Sequence, residues 1–152
     1  MPTKTPDPAG TILALDVGDK RVGVARASLA AGLAGPLTTL LRAPDFFERL
    51  ARVITEERAV AIVVGLPRNL DGQETGQTKS TRAFIEELRE HTDLPIHLQD
   101  EALTSQKAIE ELEAGGRPYK RAEVDALAAA YILEDFLAGQ ANATDKAKVG
   151  RT

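Results

Sequence analysis

Three acidic side chains, Asp16, Glu101 and Asp125, are the residues of this sequence best placed to do chemistry. Asp16 closes the first apolar run of ILALDVGDKRVG (residues 12–23), after which Gly18 turns the chain into a second run. Glu101 follows Asp100 at the end of a later run, PIHLQDE. A strand that stops on a carboxylate presents it at the rim of a sheet, where it can hold a metal ion or steer a proton. In open α/β sheets, ligands gather at the carboxyl ends of parallel strands. If these two strands are adjacent and parallel, Asp16 and Glu101 project into one pocket.

Asp125 lies in a helical stretch among Ala122, Ala126, Ala128, Ala129 and Ala130. At about 100° per residue it falls beside Ala129 and Ile132, at the edge of the buried face. A lone acid there is costly unless it is paired or bound to a cation, and small neighbours let the helix approach a sheet closely. Three carboxylates with no histidine or thiolate among them suit a hard cation, Mg²⁺ or Mn²⁺. Two such ions about 4 Å apart can stabilise both the attacking and the leaving oxygen of phosphodiester hydrolysis. A bound cation would also relieve repulsion among the acids and keep them ionised. Each acid has a plainer reading too. Asp16 to Asp19 can be a simple turn, Asp100 and Glu101 a helix-start charge pattern, and Asp125 an exposed helix acid.

The elements that must position these residues follow from periodicity. Residues 11–16 form a nearly continuous apolar strand, and residues 21–27 alternate as its antiparallel neighbour. A third strand is expected over residues 37–41, after a break at Gly35 and Pro36. Pro44 and Asp45 start a helix whose apolar face carries Phe46, Phe47, Leu50, Val53 and Ile54. AVAIVV (residues 59–64) reads as a strand buried on both faces. The polar loop PRNLDGQET leads into a helix through Phe84, Ile85 and Leu88. After the strand at residues 95–98, Thr104 is expected to cap a helix ending at Gly115 and Gly116. A last helix spans about residues 121–137. The result is a mixed α/β sheet, a meander plus parallel strands, flanked by helices.

With 152 residues and 43% hydrophobic content, the chain suits one domain with a full core. Residues 1–10 are expected to be a disordered leader, 11–138 a single domain and 139–152 a flexible tail. No cysteine is present, so there is no disulfide framework and no thiolate zinc site. No apolar run is long enough to span a bilayer, and a cytoplasmic protein is the simplest expectation. The net charge of −4 argues against nucleic-acid binding by bulk positive charge, while leaving room for a basic rim around an acidic centre. Lys20 and Arg21 follow the first acid. Arg68, Asn69, Lys79 and Arg82 flank the middle loop, and Arg117, Tyr119, Lys120 and Arg121 precede the helix of Asp125. These are the candidate nucleic-acid contacts, since phosphates need such groups. His91 and His97 lack metal-ligand spacing and read as structural.

The segments LALDVGDKRVGVA, IVVGLPRNLDG, LQDEALTSQKA and VDALAAAYILEDFL resemble, in order, the successive motifs of the YqgF/RuvX family. That family belongs to the RNase H-like, RuvC-type nuclease superfamily, and the resemblance spans about residues 11–137. It implies an RNase H-like nuclease domain, with Asp16, Glu101 and Asp125 as metal-binding catalytic acids. It also implies a Holliday junction or the 5′ end of precursor 16S rRNA as substrate. The chain departs from the family pattern at Ala102, where an arginine usually follows the acid. A homodimer is expected if junctions are the substrate, since two cuts call for two sites. Sugar kinases and actin-like ATPases share a related core, but their two-domain architecture needs a longer chain and an adenosine site, and no GxxxxGK or GxGxxG is present. A non-catalytic nucleic-acid-binding or ribosome-associated factor is the other alternative, and it predicts no metal dependence.

Overall fold

Five strands and four helices account for nearly all of the chain that the computed structural model describes. That description covers the backbone over residues 10–69 and 71–149, and side chains up to Gln140. Of the expected leader, residues 1–9 lie outside the described residues, as does the end of the expected tail, 150–152, while Gly10 is described and buried. Strands β1 (Thr11–Val17), β2 (Arg21–Ser28), β3 (Ala34–Leu41), β4 (Ala59–Pro67) and β5 (Ile96–Glu101) form one sheet in the order β3-β2-β1-β4-β5. The first three pair antiparallel, while β4 runs parallel to both β1 and β5. The expected mixed sheet is therefore present. The condition set for the two acid-bearing strands is met in part: β1 and β5 are parallel but not adjacent, because β4 separates them.

Alternation along the strands sorts the core into two layers. Leu13, Leu15, Val22, Val24, Ile62 and Val64 face α1 (Phe46–Glu57) and α2 (Gly76–Arg89), meeting Phe46, Leu50, Phe84, Ile85 and Leu88. Each of these fully buried aliphatic side chains contributes about 1.5–3 kcal/mol. The opposite face carries small residues, Ala14, Ala25, Ala27 and Ala61, against Ala129, Ala130, Ile132, Leu133 and Phe136 of α4 (Arg121–Val149). Helix α3 (Thr104–Ala114) packs on α4 through Ala108, Val124 and Ala128. No helix among the described residues is long and apolar enough to cross a membrane.

Several boundaries differ from the periodicity reading; β4 and β5, for example, run on to Pro67 and Glu101. Strand β3 begins at Ala34 and runs through Gly35 and Pro36, with an irregular register where Pro36 meets Ala25. An edge strand tolerates proline because one row of its N–H groups has no ladder partner to lose. Thr104 is the first residue of α3 rather than its cap: Leu103 holds the N-cap in the left-handed region (φ 63°, ψ 19°). Helix α4 continues past Leu137 to Val149.

Candidate active site

The face of the sheet that meets α4 also carries the acids. Asp16 shares that face with Ile12 and Ala14, and its cross-strand partner on β2 is Gly23. Gly23 is where α4 comes closest: a methyl group there would lie 1.9 Å from the carbonyl oxygen of Asp125. The missing side chain thus lets the backbone of Asp125 rest on β2 beside Asp16. On the other side of β1, Gly65 follows Val64, the register partner of Leu15, and a methyl group there would meet Ile132 Cδ1 at 2.4 Å. Two glycines, one on each neighbouring strand, seat the helix over the end of β1.

Asp16, Glu101 and Asp125 line a single cleft of about 470 Å³. Asp125 is only 8% exposed. Its carboxylate accepts a hydrogen bond from Arg21 Nε at 2.7 Å and lies 3.6 Å from Arg121 Nε, one helical turn earlier. Asp16 has no such partner among the described residues. Burial pushes its carboxyl up to about 6, the charge of Asp125 adds to the rise, and Arg121 opposes it. Glu101 is pushed further, to about 8, first by burial and then by a hydrogen bond to Asp135 of α4 and that residue's charge. Its Oε1 is buried with no hydrogen-bond partner among the described residues. With Asp125 turned to Arg21 and Glu101 to Asp135, no three His, Asp or Glu side chains among the described residues gather into a ready ligand set for a metal ion.

The family model described as "RuvX: Holliday junction resolvase" matches residues 10–139, nearly the whole described chain. The chain belongs to the RuvX family. A relative from Thermoanaerobacter pseudethanolicus, provisionally named a pre-16S rRNA nuclease, is 38% identical over 136 residues, covering 86% of this chain and 98% of its own. One of the same name from Legionella pneumophila (strain Lens) is 40% identical over 135 residues, covering 86% and 96%. Among solved structures, Thermus thermophilus RuvC in complex with a Holliday junction substrate superposes with a TM-score of 0.51. Its identity is 16%, over 88% of this chain and 96% of that one. That likeness is one of fold, and it agrees with the mixed sheet described above.

The basic candidates divide in this RuvX-family structure. Lys20, Arg21, Arg68 and Arg121 line the acidic cleft. Arg68 is oriented by Asp100, with Nε 2.9 Å from Oδ1, and its Nη1 donates to the Gly72 carbonyl at 3.3 Å. Asn69 borders a neighbouring cavity, but its side-chain oxygen accepts from the amides of Asp71 and Gln73, so it builds the loop. Lys79 and Arg82 sit on the exposed side of α2, with Arg82 paired to Glu74 at 2.7 Å, and neither lines the cleft. Arg117 borders a different groove with Thr38, Thr39 and Ala122. Tyr119 packs against the α3–α4 cluster and donates to Glu113 Oε1, while Lys120 is exposed before α4.

Two residues of the site escaped the sequence reading. Gly23 looked like one more member of an alternating strand. Asp135 lies three residues after Ile132 and just before Phe136, so the apolar spacing of α4 already placed it on the flank facing the sheet. The ring of His97 lies 5.3 Å from that of Phe136, and His91 stacks on Phe47 at 4.0 Å.

Proposed function

We propose that this chain is a divalent-metal-dependent endonuclease acting on structured nucleic acid, resolving Holliday junctions, trimming the 5′ end of precursor 16S rRNA, or both. One observation carries the reading. In a RuvX-family chain, Asp16, Glu101 and Asp125 share one cleft whose other walls hold Lys20, Arg21, Arg68 and Arg121. The family description names Holliday junction resolution, and the relatives' provisional names point to precursor rRNA.

The donor set fits Mg²⁺ or Mn²⁺ by its chemistry. It offers only carboxylate oxygens, two of the acids are raised in a way a cation would reverse, and Glu101 Oε1 is buried without a partner among the described residues. Asp16, Glu101 and Asp125 would hold the ion, which would supply an activated water and charge neutralisation at the scissile phosphate. The chain's own groups do the rest. Arg21 and Arg121 offset the charge of Asp125, so that three acids can coexist in one cleft. Arg68 and Lys20 present cations at the rim for backbone phosphates. Residues 11–138 act as one nuclease domain, and a homodimer supplies the two cuts that junction resolution needs.

The test is cleavage of four-way junction DNA and of precursor rRNA by wild type and Asp16→Asn, each with Mg²⁺, Mn²⁺ or chelator. Wild type should cut at least one substrate with metal, chelator should stop it, and Asp16→Asn should lose at least about 100-fold, more than an outer-sphere substitution costs. Equal cleavage by both proteins, or none by either on any substrate, sinks the nuclease reading.

A further inference from the structure

The start of α3 opens onto the acidic cleft: Ala102, Leu103, Thr104 and Ser105 all line it. Helix starts are usually closed by a Ser, Thr, Asp or Asn side chain. Here the N-cap is Leu103, which cannot accept a hydrogen bond; there is no side-chain cap and no acid in the first turn. The first bond at this end runs from the Lys107 amide to the Leu103 carbonyl. The amides of Thr104, Ser105 and Gln106 therefore point out of the helix with no acceptor among the described residues.

Thr104 supplies a second, independent observation. It is 8% exposed, it forms part of the cleft wall, and its hydroxyl has no hydrogen-bond partner among the described residues. Polar side chains buried to this degree normally have a partner. Its oxygen is not among the fully enclosed unpaired atoms, so the cleft is where a partner can reach it. Free amides, the positive end of the helix dipole and two hydroxyls are what an anion needs. The neighbouring cavity of about 520 Å³ shares Arg68, Glu101 and Ala102 with the cleft. The trough thus continues past the acids, which suits a linear polyanion better than a small ligand.

We propose that the uncapped N-terminus of α3, with the hydroxyls of Thr104 and Ser105, binds a phosphate of the nucleic-acid strand, next to the one presented to Asp16, Glu101 and Asp125. The small Ala102 leaves the strand room to pass from this subsite towards Arg68. The proposal rests on the reading of the cleft as a nucleic-acid site, and binding and cleavage test the two separately.

The experiment measures affinity for a labelled four-way DNA junction and a structured RNA in chelator at about 0.1 M salt, by fluorescence anisotropy, alongside Tm. Ser105→Glu places a carboxylate where the phosphate would sit, yet suits the helix dipole. It should weaken binding about tenfold while Tm stays level or rises. Ser105→Gln should change binding less than about threefold, and Ala51→Glu, on the exposed side of α1, should leave it unchanged. Wild-type affinity in Ser105→Glu, or an equal loss in Ala51→Glu, overturns the subsite; metal-dependent cleavage by wild type would still leave the nuclease reading standing. The expected losses in a protein that cuts nothing would uphold the subsite and remove the nuclease reading. Failure of wild type to bind either nucleic acid overturns both.

Discussion

Gly23→Ala is expected to destabilise the protein by about 4 kcal/mol or more and to remove cleavage with it. The new methyl group would lie 1.9 Å from the Asp125 carbonyl oxygen, 2.3 Å from its carbon and 2.9 Å from the Ala126 nitrogen. All three are backbone atoms in the first turns of a long helix, so no rotamer change relieves the clash; α4 must move off the sheet. It cannot do so cheaply, because Ala129, Ala130, Ile132, Leu133 and Phe136 are packed on the same face. Moving the helix also carries Asp125 away from Asp16, so activity falls even in molecules that fold. Gly65→Ala is the matched contrast. Its methyl group meets the end of the Ile132 side chain at 2.4 Å, and a flexible side chain can turn aside, so about 1–2 kcal/mol is expected. Urea unfolding of both variants checks the difference. A Gly23→Ala protein with a wild-type midpoint would mean that α4 does not rest on β2 at Asp125.

The same glycine shows how far sequence periodicity reaches. An apolar run ending on Asp16 is a local pattern, and so is a helix flank rich in alanine, so the three acids and the helix of Asp125 could be picked out along the chain. What brings them together is not local. Gly23 matters because a helix about a hundred residues later lies on it, and nothing in VGVA announces that contact. Pro36 looked like a break because proline costs a ladder bond, yet β3 is an edge strand and has one side free of that cost. Thr104 looked like a helix cap because threonine often is one, but Leu103 takes the left-handed turn and the helix starts one residue earlier, at Thr104 itself. That one-residue difference leaves the hydroxyl facing the cleft instead of closing the helix. The orientation of Glu101 was also out of reach, because it depends on Asp135, which approaches from α4 rather than from a neighbouring strand.

Without metal, the protein is expected to lose stability as pH rises from about 5 to above 8, and Asp16→Asn is expected to blunt that loss. The direction follows from the two raised acids. Asp16 is pushed from an ordinary value of 3.8 up to about 6, and Glu101 from 4.5 up to about 8. Between the ordinary and the raised values, the folded protein holds protons that the unfolded chain has already released. Stability then falls as pH rises, until each acid has ionised in the fold as well. For Asp16, whose rise comes mainly from burial, the cost of ionising is up to about 3 kcal/mol. Glu101 extends the same trend to higher pH, reduced by solvent because its side chain is only partly buried. Asp16→Asn removes the first of these costs, so at pH 8 in chelator the variant should melt higher than wild type. At pH 5, where Asp16 is protonated in the fold but already ionised in the unfolded chain, roughly half of that cost is present, so the gap between the two proteins should be roughly half that at pH 8. Mg²⁺ or Mn²⁺ should raise the wild-type Tm more at pH 8 than at pH 5, because at pH 5 the ion must displace protons from the same oxygens, and it should raise that of Asp16→Asn less. Melting curves at half-unit steps from pH 5 to 8.5, with and without metal, test all of this together. A wild-type Tm that is flat or rising between pH 6 and 8 in chelator would remove the desolvated acid at the end of β1 from the account. It would leave the site with no electrostatic reason to prefer a cation.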